Sequence, residues 1–383
     1  MQPLSRRSTD AYRLFLALLW LWVGTGAGAG AGAGAALAAP MPLPATQQQW
    51  QLVRGSGSGY ELRLVDAPVR APGAHEVLVR VRAASLNRRD LFVMQGQYPV
   101  STSGSIVPLS DGAGEVVAVG PGVRRVRVGE RVVAAFFQAW ISGAMTRAAF
   151  ASALGGGVDG MLSQYVTLNE QGLARIPAGL SYAEAATLPC AGVTAWNALV
   201  RRGGTAAGQY VLLEGTGGVS VIGLQLAAAL GAKPIITSSS DDKLERARRL
   251  GAFGTINYRS TPDWDKAVMA LTGGEGVQQV LEVGGRDTLP HALASLGQGG
   301  HLALIGGLSA FGGDIPMMAL LGKGASVSSI YVGSRADLEA LLVFVGRHGI
   351  RPVVDREFAY QEAPAAYALM ASGQFFGKIV IRM

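Results

Sequence analysis

The chain of 383 residues contains a single cysteine, Cys190, and only four histidines. One cysteine cannot form an internal disulfide, and it excludes a zinc site built from several cysteines. Charged residues make up 15% of the chain and hydrophobic residues 49%, a balance typical of globular rather than disordered proteins. The length allows two domains and a large hydrophobic core.

Long runs of basic residues are absent as well, although the net charge is +7. The densest basic cluster, Arg124, Arg125 and Arg127, follows a Gly-Pro-Gly turn and is interpreted as solvated. A basic surface can attract nucleic acid, but recognition needs a patch or stripe of cations. Nucleic-acid binding is therefore not expected.

The N-terminus has the layout of a secretory signal. Arginines precede a short apolar run at residues 14–23, and a Gly/Ala repeat leads to small residues around Ala38. The apolar run is too short for a transmembrane helix, so no span is expected in the mature chain. Two interpretations stay open: export after cleavage near Ala38, or a cytoplasmic protein whose true start is Met41. Residues 1–40 are left out of the fold prediction as a signal-like extension.

The stretch VLLEGTGGVS at residues 211–220 predicts a strand, a tight turn and the start of a helix. Gly215 and Gly217 occupy the first two positions of the dinucleotide fingerprint, where glycine permits the turn and lets a pyrophosphate approach the backbone. Ser220 stands at the third position, where a small residue packs helix against strand. The helix N-terminus would offer free N–H groups to the phosphates. The predicted contacts in this turn are Gly215, Thr216, Gly217, Gly218 and Val219.

Strands and helices alternate through residues 181–332, which predicts a doubly wound parallel sheet that binds its ligand at the C-terminal ends of the strands. Ser181 and Glu184 form a predicted capping box at its first helix. The sixth strand, at residues 327–332, is predicted to be an edge strand. Pairing with the same strand of a second copy would cover its apolar residues, which predicts a homodimer.

The nucleotide preference depends on the end of the second strand. An NAD site usually has an acidic residue there, whereas this chain reads Thr-Ser-Ser-Ser at residues 237–240. Hydroxyls can bind a 2′-phosphate that a carboxylate would repel, so NADP(H) is favoured and NAD(H) is less expected. The predicted contacts are Ser238, Ser239, Lys243 and Tyr258. In the alternative interpretation the serines only cap the following helix.

The first part of the chain, residues 48–178, shows short alternating strands separated by proline and glycine, and predicts a β-rich domain. Residues 333–383 are predicted to return to that domain after the parallel sheet. They end on the strand KIVIR, residues 378–382.

These segments resemble the medium-chain dehydrogenase/reductase superfamily from about Trp50 to Met383. The similarity is carried by GTGGVS, TINYR, LSDGAGEVVAVGPGV, LPCAGVTAWNAL and FGKIVI. It is strongest toward the zinc-independent, quinone-oxidoreductase-like or alcohol-dehydrogenase-like members. The resemblance implies a doubly wound Rossmann sheet plus a β-rich GroES-like catalytic domain.

The chain departs from the zinc-containing members of that superfamily at their ligands. Those members have a cysteine in the first turn-helix, a Gly-His-Glu motif and a cysteine on the inter-domain helix. The corresponding residues here are Asn87, Leu109-Ser110-Asp111 and Cys190. One thiolate and a distant carboxylate do not form a zinc site. Neither a catalytic zinc nor any other metal site is expected.

Without a metal, the substrate oxygen must be polarised by hydrogen bonds or by a proton donor. Asn87 is the candidate that would position this oxygen, and Asp90 would hold the turn beside it. The resemblance implies that Thr194 lies against the nicotinamide. Arg88 and Arg89 are interpreted as solvated side chains. Further predicted cofactor contacts are Val283, Gly306 and Lys378.

Three functions follow from these observations. The leading one is an NADPH-dependent oxidoreductase that transfers hydride to a quinone, an activated alkene or a carbonyl without catalytic zinc. The first alternative is an NAD(P)-dependent alcohol dehydrogenase. The second is a non-catalytic NADPH-binding protein, like the crystallins that resemble this superfamily. The partner in each case is a small molecule whose identity the sequence leaves open.

Overall fold

A computed structural model describes residues 43–55, 57, 59–98, 104–310, 312 and 314–383. The signal-like extension, residues 1–40, lies outside the described residues, so its export and cleavage stay predictions. The described residues belong to one compact unit, Leu43–Met383. Within them, no helix has both the length and the apolar character needed to cross a membrane.

Short strands and helices alternate along most of the described chain. The strands are β1 (Thr46–Arg54), β2 (Tyr60–Pro68), β3 (Glu76–Ser85), β4 (Asp111–Val119), β5 (Arg131–Ala134), β6 (Tyr165–Asn169), β7 (Leu173–Arg175), β8 (Tyr210–Leu213), β9 (Lys233–Ser238), β10 (Gly254–Asn257), β11 (Val277–Glu282), β12 (Leu296–Leu304), β13 (Ser326–Ser329), β14 (Val354–Ala359) and β15 (Lys378–Arg382). The helices are α1 (Arg88–Met94), α2 (Arg147–Ala151), α3 (Tyr182–Ala186), α4 (Val193–Trp196), α5 (Gly218–Ala229), α6 (Asp241–Arg249), α7 (Trp264–Leu271), α8 (Leu289–Ser295), α9 (Met317–Lys323), α10 (Arg335–His348) and α11 (Ala363–Ser372).

A seven-stranded sheet contains both early and late strands, in the order β14-β15-β3-β4-β5-β7, with β6 pairing β3. The last strand, β15, runs antiparallel to β3 and pairs Val380 with Ser85. Continuing this register by two residues brings Lys378 opposite Asn87. Ser85 also pairs with Asp111 on the other side of β3. Three segments far apart in sequence therefore meet at one end of this sheet.

A six-stranded parallel sheet has the order β10-β9-β8-β11-β12-β13. The chain moves outward from β8 to β9 and β10, and then crosses to β11 on the other side of β8. Such a reversal of strand order opens a crevice at the C-terminal ends of the two central strands. The predicted fold class, a doubly wound parallel sheet combined with a GroES-like β-rich domain, is confirmed. The predicted domain limits stay predictions.

The edge of this sheet is shorter than predicted. The sixth strand was expected at residues 327–332, and β13 ends at Ser329. Val332 has a left-handed backbone conformation (φ 49°), which the extended ladder cannot accommodate. The chain then turns to Ser334, whose hydroxyl caps α10 by accepting a hydrogen bond from the Asp337 N–H.

The helical segment that connects the two sheets begins at Ser181, as predicted. The Ser181 hydroxyl accepts from the Glu184 N–H at 3.2 Å, and the Glu184 carboxylate accepts from the Ser181 N–H at 2.8 Å. Wide π-type turns follow at Leu188–Gly192 and Asn197–Arg202. Pro189 has no N–H to donate within the helix, which accounts for the first irregularity.

Candidate active site

The glycine-rich turn follows β8 and opens α5 at Gly218. Gly215 has a left-handed backbone (φ 69°), a conformation that favours glycine. Gly217 differs, since its φ of −81° suits any residue and nothing lies within 4 Å of where a Cβ would stand. The fold therefore does not require glycine at position 217, and the turn leaves open space in front of the α5 N-terminus.

Ser220, at the third position of the fingerprint, forms a hydrogen bond within the turn. Ser220 is buried and its hydroxyl donates to the Glu214 carbonyl at 2.6 Å. A serine therefore packs α5 against β8 and also supplies a partner for a backbone acceptor in the turn.

The other predicted cofactor residues lie at the same edge of the parallel sheet. Ser238 ends β9, and its buried hydroxyl lies 3.4 Å from that of Thr216. Ser239 follows it, and Lys243 donates from Nζ to the Gly373 carbonyl at 3.0 Å. The remaining predicted contacts there are Tyr258, whose N–H donates to the Ser238 carbonyl, and Val283 and Gly306, which follow β11 and β12.

Lys378 is the centre of a buried polar cluster between the two sheets. Its side chain is 2% exposed, and Nζ donates to the Leu86 carbonyl at 2.6 Å and to Asn87 Oδ1 at 2.5 Å. The Asp111 carboxylate lies 3.8 Å from the same ammonium. Asp111 also accepts from the Ser110 hydroxyl at 2.7 Å and from the Cys190 N–H at 3.2 Å.

This cluster is in direct contact with the glycine-rich turn. The Gly377 N–H donates to the Thr216 carbonyl at 3.0 Å. A Cβ on Gly218 would stand 2.5 Å from Lys378 Cδ and 3.3 Å from Ala191 Cβ. Gly218 is thus needed to admit the Lys378 side chain.

The Asn87 amide faces Lys378 with its oxygen and Asp111 with its nitrogen. An ammonium only donates hydrogen bonds, so the Asn87 oxygen must face Lys378. Asn87 Nδ2 is buried and makes no close hydrogen bond among the described residues, and a longer hydrogen bond from this amide to the Asp111 carboxylate helps to lower the pKa of Asp111. Asn87 also begins α1, where its backbone N–H donates to Asp90 Oδ2 at 2.7 Å. Asp90 therefore holds the turn that presents Asn87.

Burial perturbs the acids of the cluster. It raises the pKa of Asp90 to about 6, against the opposing effects of Arg89 and the Asn87 N–H. It also raises the pKa of Asp111, which the Lys378 ammonium lowers in turn. The pKa of the Cys190 thiol is raised by burial and by the Asp111 carboxylate, so this thiol stays protonated. Thr194 lies buried one turn further along the same helical segment.

The interpretation of Arg89 as a solvated side chain is wrong. Arg89 was expected to be solvated, as its exposed neighbour Arg88 is, but it is 8% exposed. Its Nη1 donates to the Leu154 carbonyl at 2.8 Å. The guanidinium lies 5.0 Å from the ring of Tyr98 and 4.7 Å from that of Phe136. Two arginines in succession at a helix start gave no signal that one points inward.

A pair of buried acids at the sheet edge was also missed. Glu214 follows β8 and accepts from the Val283 and Gly284 N–H groups, both at 3.2 Å. Glu282 ends β11 and accepts from the Gly285 N–H at 2.7 Å. Burial and the neighbouring Glu282 raise the pKa of Glu214 well above its ordinary value. An acid at the end of an apolar strand was the only available signal.

Metal ligands do not converge in the part of the chain that the structure describes. No three His, Cys, Asp or Glu side chains there are placed to hold a metal ion together. The residues at the family's zinc-ligand positions instead surround Lys378. Asn87 and Asp111 face its ammonium, and Cys190 is linked to Asp111 through its backbone N–H.

Two family models match the chain. Residues 73–178 match the alcohol dehydrogenase GroES-like domain, and residues 218–347 match a model described as a zinc-binding dehydrogenase. A zinc-type alcohol dehydrogenase-like protein of Schizosaccharomyces pombe is 41% identical over 314 residues, which are 80% of this chain and 91% of the yeast protein.

Solved structures agree with this assignment. A protein of Sinorhizobium meliloti 1021 assigned as an alcohol dehydrogenase is 40% identical, with a TM-score of 0.84, over 89% of this chain and all of that chain. An NAD-dependent alcohol dehydrogenase is 33% identical, with a TM-score of 0.79, over 88% of this chain and 99% of that chain. Fold, glycine-rich turn and relatives identify the chain as an NAD(P)H-dependent, alcohol dehydrogenase-like oxidoreductase that belongs to the medium-chain dehydrogenase/reductase superfamily.

Proposed function

We propose that this oxidoreductase uses NADP(H) and reduces a quinone, an activated alkene or a carbonyl without a catalytic zinc. The observation that carries the proposal is the position of the Lys378 ammonium. It lies 2.5 Å from Asn87 Oδ1 and 3.8 Å from the Asp111 carboxylate, at positions that correspond to zinc ligands in other members. A buried ammonium repels a divalent cation from the same space and already compensates the Asp111 charge.

The nicotinamide supplies the hydride when the cofactor is bound. The chain contributes the surfaces that orient it: the open turn at Gly215–Gly218, the α5 N-terminus, and Thr194 with Cys190 on the facing helical segment. Asn87 Nδ2 carries two N–H groups, and the Asp111 carboxylate engages at most one of them. Because Lys378 fixes the Asn87 oxygen, Nδ2 is pre-oriented to donate to a substrate oxygen as negative charge develops there.

The preference for the 2′-phosphate rests on the end of β9. No carboxylate follows Ser238 directly, and Ser239 and Lys243 border the place where the ribose of a bound cofactor is expected. Burial lowers the pKa of Lys243, and Asp355 opposes that effect. The Ser240 hydroxyl accepts from the Lys243 N–H at 3.4 Å, so the serine run also caps α6. Binding of a 2′-phosphate by these serines is therefore compatible with their capping of α6.

The decisive experiment measures NADPH and NADH oxidation at 340 nm with a panel of quinones, enones and aldehydes. Zinc is determined in the same preparation by mass spectrometry, and activity is measured before and after treatment with a chelator. We expect turnover with NADPH, less than one zinc per chain and no effect of the chelator. Stoichiometric zinc together with chelator-sensitive turnover would overturn the metal-free proposal.

A charge swap tests the cofactor preference separately. Ser239→Asp places a carboxylate where a 2′-phosphate is expected, so we expect weaker NADPH binding and unchanged or stronger NADH binding. Ser239→Ala is the matched control, because it removes the hydroxyl without adding charge. If Ser239→Asp weakens both cofactors equally, the 2′-phosphate does not bind there.

Alcohol oxidation is the second candidate function, because the relatives described above are named as alcohol dehydrogenases. The same site would then run in reverse with NADP⁺ or NAD⁺. Rates of NADP⁺ reduction with primary and secondary alcohols distinguish the two. Faster alcohol oxidation than carbonyl or alkene reduction at matched pH would favour this candidate.

A further inference from the structure

We propose that Arg89 is a substrate-binding residue, and that the edge of its guanidinium formed by Nε and Nη2 binds a carboxylate of the substrate. The inference rests on the proposed reductase function and adds a substrate class to it. Substrates would be small unsaturated or oxo acids that carry the carboxylate near the reducible double bond or carbonyl.

The first observation is a buried cation with unused donors. Arg89 is 8% exposed, and Nη1 is occupied by the Leu154 carbonyl. Nε and Nη2 are buried and make no close hydrogen bond among the described residues. A further polar contact of the guanidinium is with the Tyr98 hydroxyl, whose pKa burial raises and a hydrogen bond from Arg89 lowers, and a hydroxyl cannot fill a two-donor edge. An unpartnered donor on a buried charged group is costly, so a native protein retains it where a ligand or water satisfies it.

The second observation is which donors are unused. Nε and Nη2 form the side-on edge of the guanidinium, whose two N–H groups point in parallel. This edge matches the two oxygens of a carboxylate, and such bidentate pairs are among the strongest hydrogen-bonded contacts in proteins. A single aldehyde or ketone oxygen would use this edge less completely.

The chain does not supply that carboxylate from the neighbouring residue. Asp90 Oδ1 lies 3.9 Å from Nη1, beyond hydrogen-bond distance and at the other end of the guanidinium. Asp90 Oδ2 is already engaged with the Asn87 N–H. The charges of Arg89 and Lys378 are balanced by Asp90 and Asp111 in number, but Arg89 lacks a bidentate partner.

The third observation is the location of Arg89. Arg89 is two residues after Asn87 on α1, and its charge acts on the Cys190 thiol together with those of Asp111 and Lys378. The rings of Tyr98 and Phe136, 5.0 and 4.7 Å from the guanidinium, hold it in place by cation–π contact. Arg89 thus lies beside the polar cluster where the substrate is expected, and its orientation is fixed before binding.

The test compares matched acids and esters as substrates for NADPH oxidation. Monoethyl and diethyl fumarate form one pair, and pyruvate and ethyl pyruvate form the other. Each reduction transfers hydride from NADPH to carbon, and the proton comes from solvent. For the wild-type protein we expect kcat/KM for the acid to exceed that for the ester roughly 10- to 100-fold in at least one pair, the range of a charge-assisted bidentate contact.

Variants assign that preference to the guanidinium. Arg89→Gln should abolish it by lowering only the acid's kcat/KM, and Arg89→Lys should restore it in part, since an ammonium lacks the parallel edge. Arg63→Gln, which removes an exposed arginine on β2, is the control for loss of one positive charge. Melting temperature and NADPH affinity of each variant show that fold and cofactor site are intact.

Benzoate gives a readout without turnover. It should raise the melting temperature of the wild-type protein with NADP⁺, benzamide should not, and Arg89→Gln should remove the benzoate effect. Equal rates with acid and ester, or an acid preference that survives in Arg89→Gln, overturn the inference. If Arg89→Gln does not fold, the inference is tested by the acid preference of the wild-type protein in the two substrate pairs and by the partial loss of that preference in Arg89→Lys. Quinone reduction without any acid preference leaves the proposed function standing, whereas no NADPH oxidation with any compound overturns that function.

Discussion

Replacing Lys378 by methionine tests whether the ammonium compensates the buried Asp111 carboxylate. Methionine retains most of the length and packing of the side chain but removes the charge and its bonds to Leu86 and Asn87. Asp111 is fully buried and Lys378 is 2% exposed. Removing one partner of a buried ion pair leaves an uncompensated charge and costs about 3–5 kcal/mol. We expect a loss of stability in this range at pH 8.

The loss should depend on pH in a direction that the site determines. Burial raises the pKa of Asp111 and Lys378 lowers it, so the pKa rises further in Lys378→Met. A carboxyl whose folded pKa exceeds its unfolded value destabilises the fold as pH rises through the folded value. The free energy of unfolding that Lys378→Met loses relative to wild type should therefore be largest at pH 8 and should decrease toward pH 5. Urea unfolding followed by circular dichroism at several pH values measures it.

A double variant separates compensation from packing. Asp111→Asn removes the uncompensated charge, so Lys378→Met/Asp111→Asn should be more stable than the sum of the two single losses by about 1–3 kcal/mol. Lys266→Met, which breaks an exposed pair with Asp263, is the control and should change stability little. Additive single losses, or a deficit that does not vary with pH, would refute the role of Lys378 as counter-charge.

Three further predictions concern the cofactor turn, the buried acids and the sheet edge. Gly217→Val should leave the melting temperature within about 2 °C of wild type, because the fold does not need glycine at this position. The same variant should reduce NADPH affinity at least about tenfold in fluorescence titrations, and unchanged affinity would place the pyrophosphate elsewhere. Burial first and Glu282 second raise the pKa of Glu214, so the stability of the wild-type protein should fall as pH rises above the unfolded pKa of about 4.3, and the stability of Glu214→Gln should fall less; parallel urea profiles would contradict the raised pKa of Glu214. Tyr331 is about half exposed beside β13 and lies at the predicted homodimer contact. Tyr331→Glu should therefore yield monomers in sedimentation velocity experiments, and a monomeric wild-type protein would exclude the predicted dimer.

The glycine-rich turn shows why much of the fold was predictable. The apolar run of β8, the glycines after it and the alanine-rich α5 are adjacent in sequence, and the conformations they require are local. The same holds for the Ser181–Glu184 capping box and for the C-terminal strand β15. The edge strand β13 was predicted too long because one left-handed residue, Val332, interrupts an apolar run that otherwise reads as a strand.

The polar cluster shows what local patterns leave out. Lys378, Asn87 and Asp111 come from three strand ends whose proximity is set by the register of β15, β3 and β4. Sequence motifs named each of these residues but gave no sign that an ammonium would face the amide and the carboxylate. Arg89 is the clearest case, because its charge and its neighbour Arg88 both favoured a solvated side chain.

The sequence by itself determined the order of strands and helices, the dinucleotide turn and the loss of the usual zinc-ligand residues, since each depends on residue types at short spacing. Only the tertiary structure decided which charges are buried and what they face. Burial and hydrogen-bond partners are properties of strand pairing and of the contact between the two sheets, and these join residues nearly three hundred positions apart, as in the bond from Lys378 to Asn87.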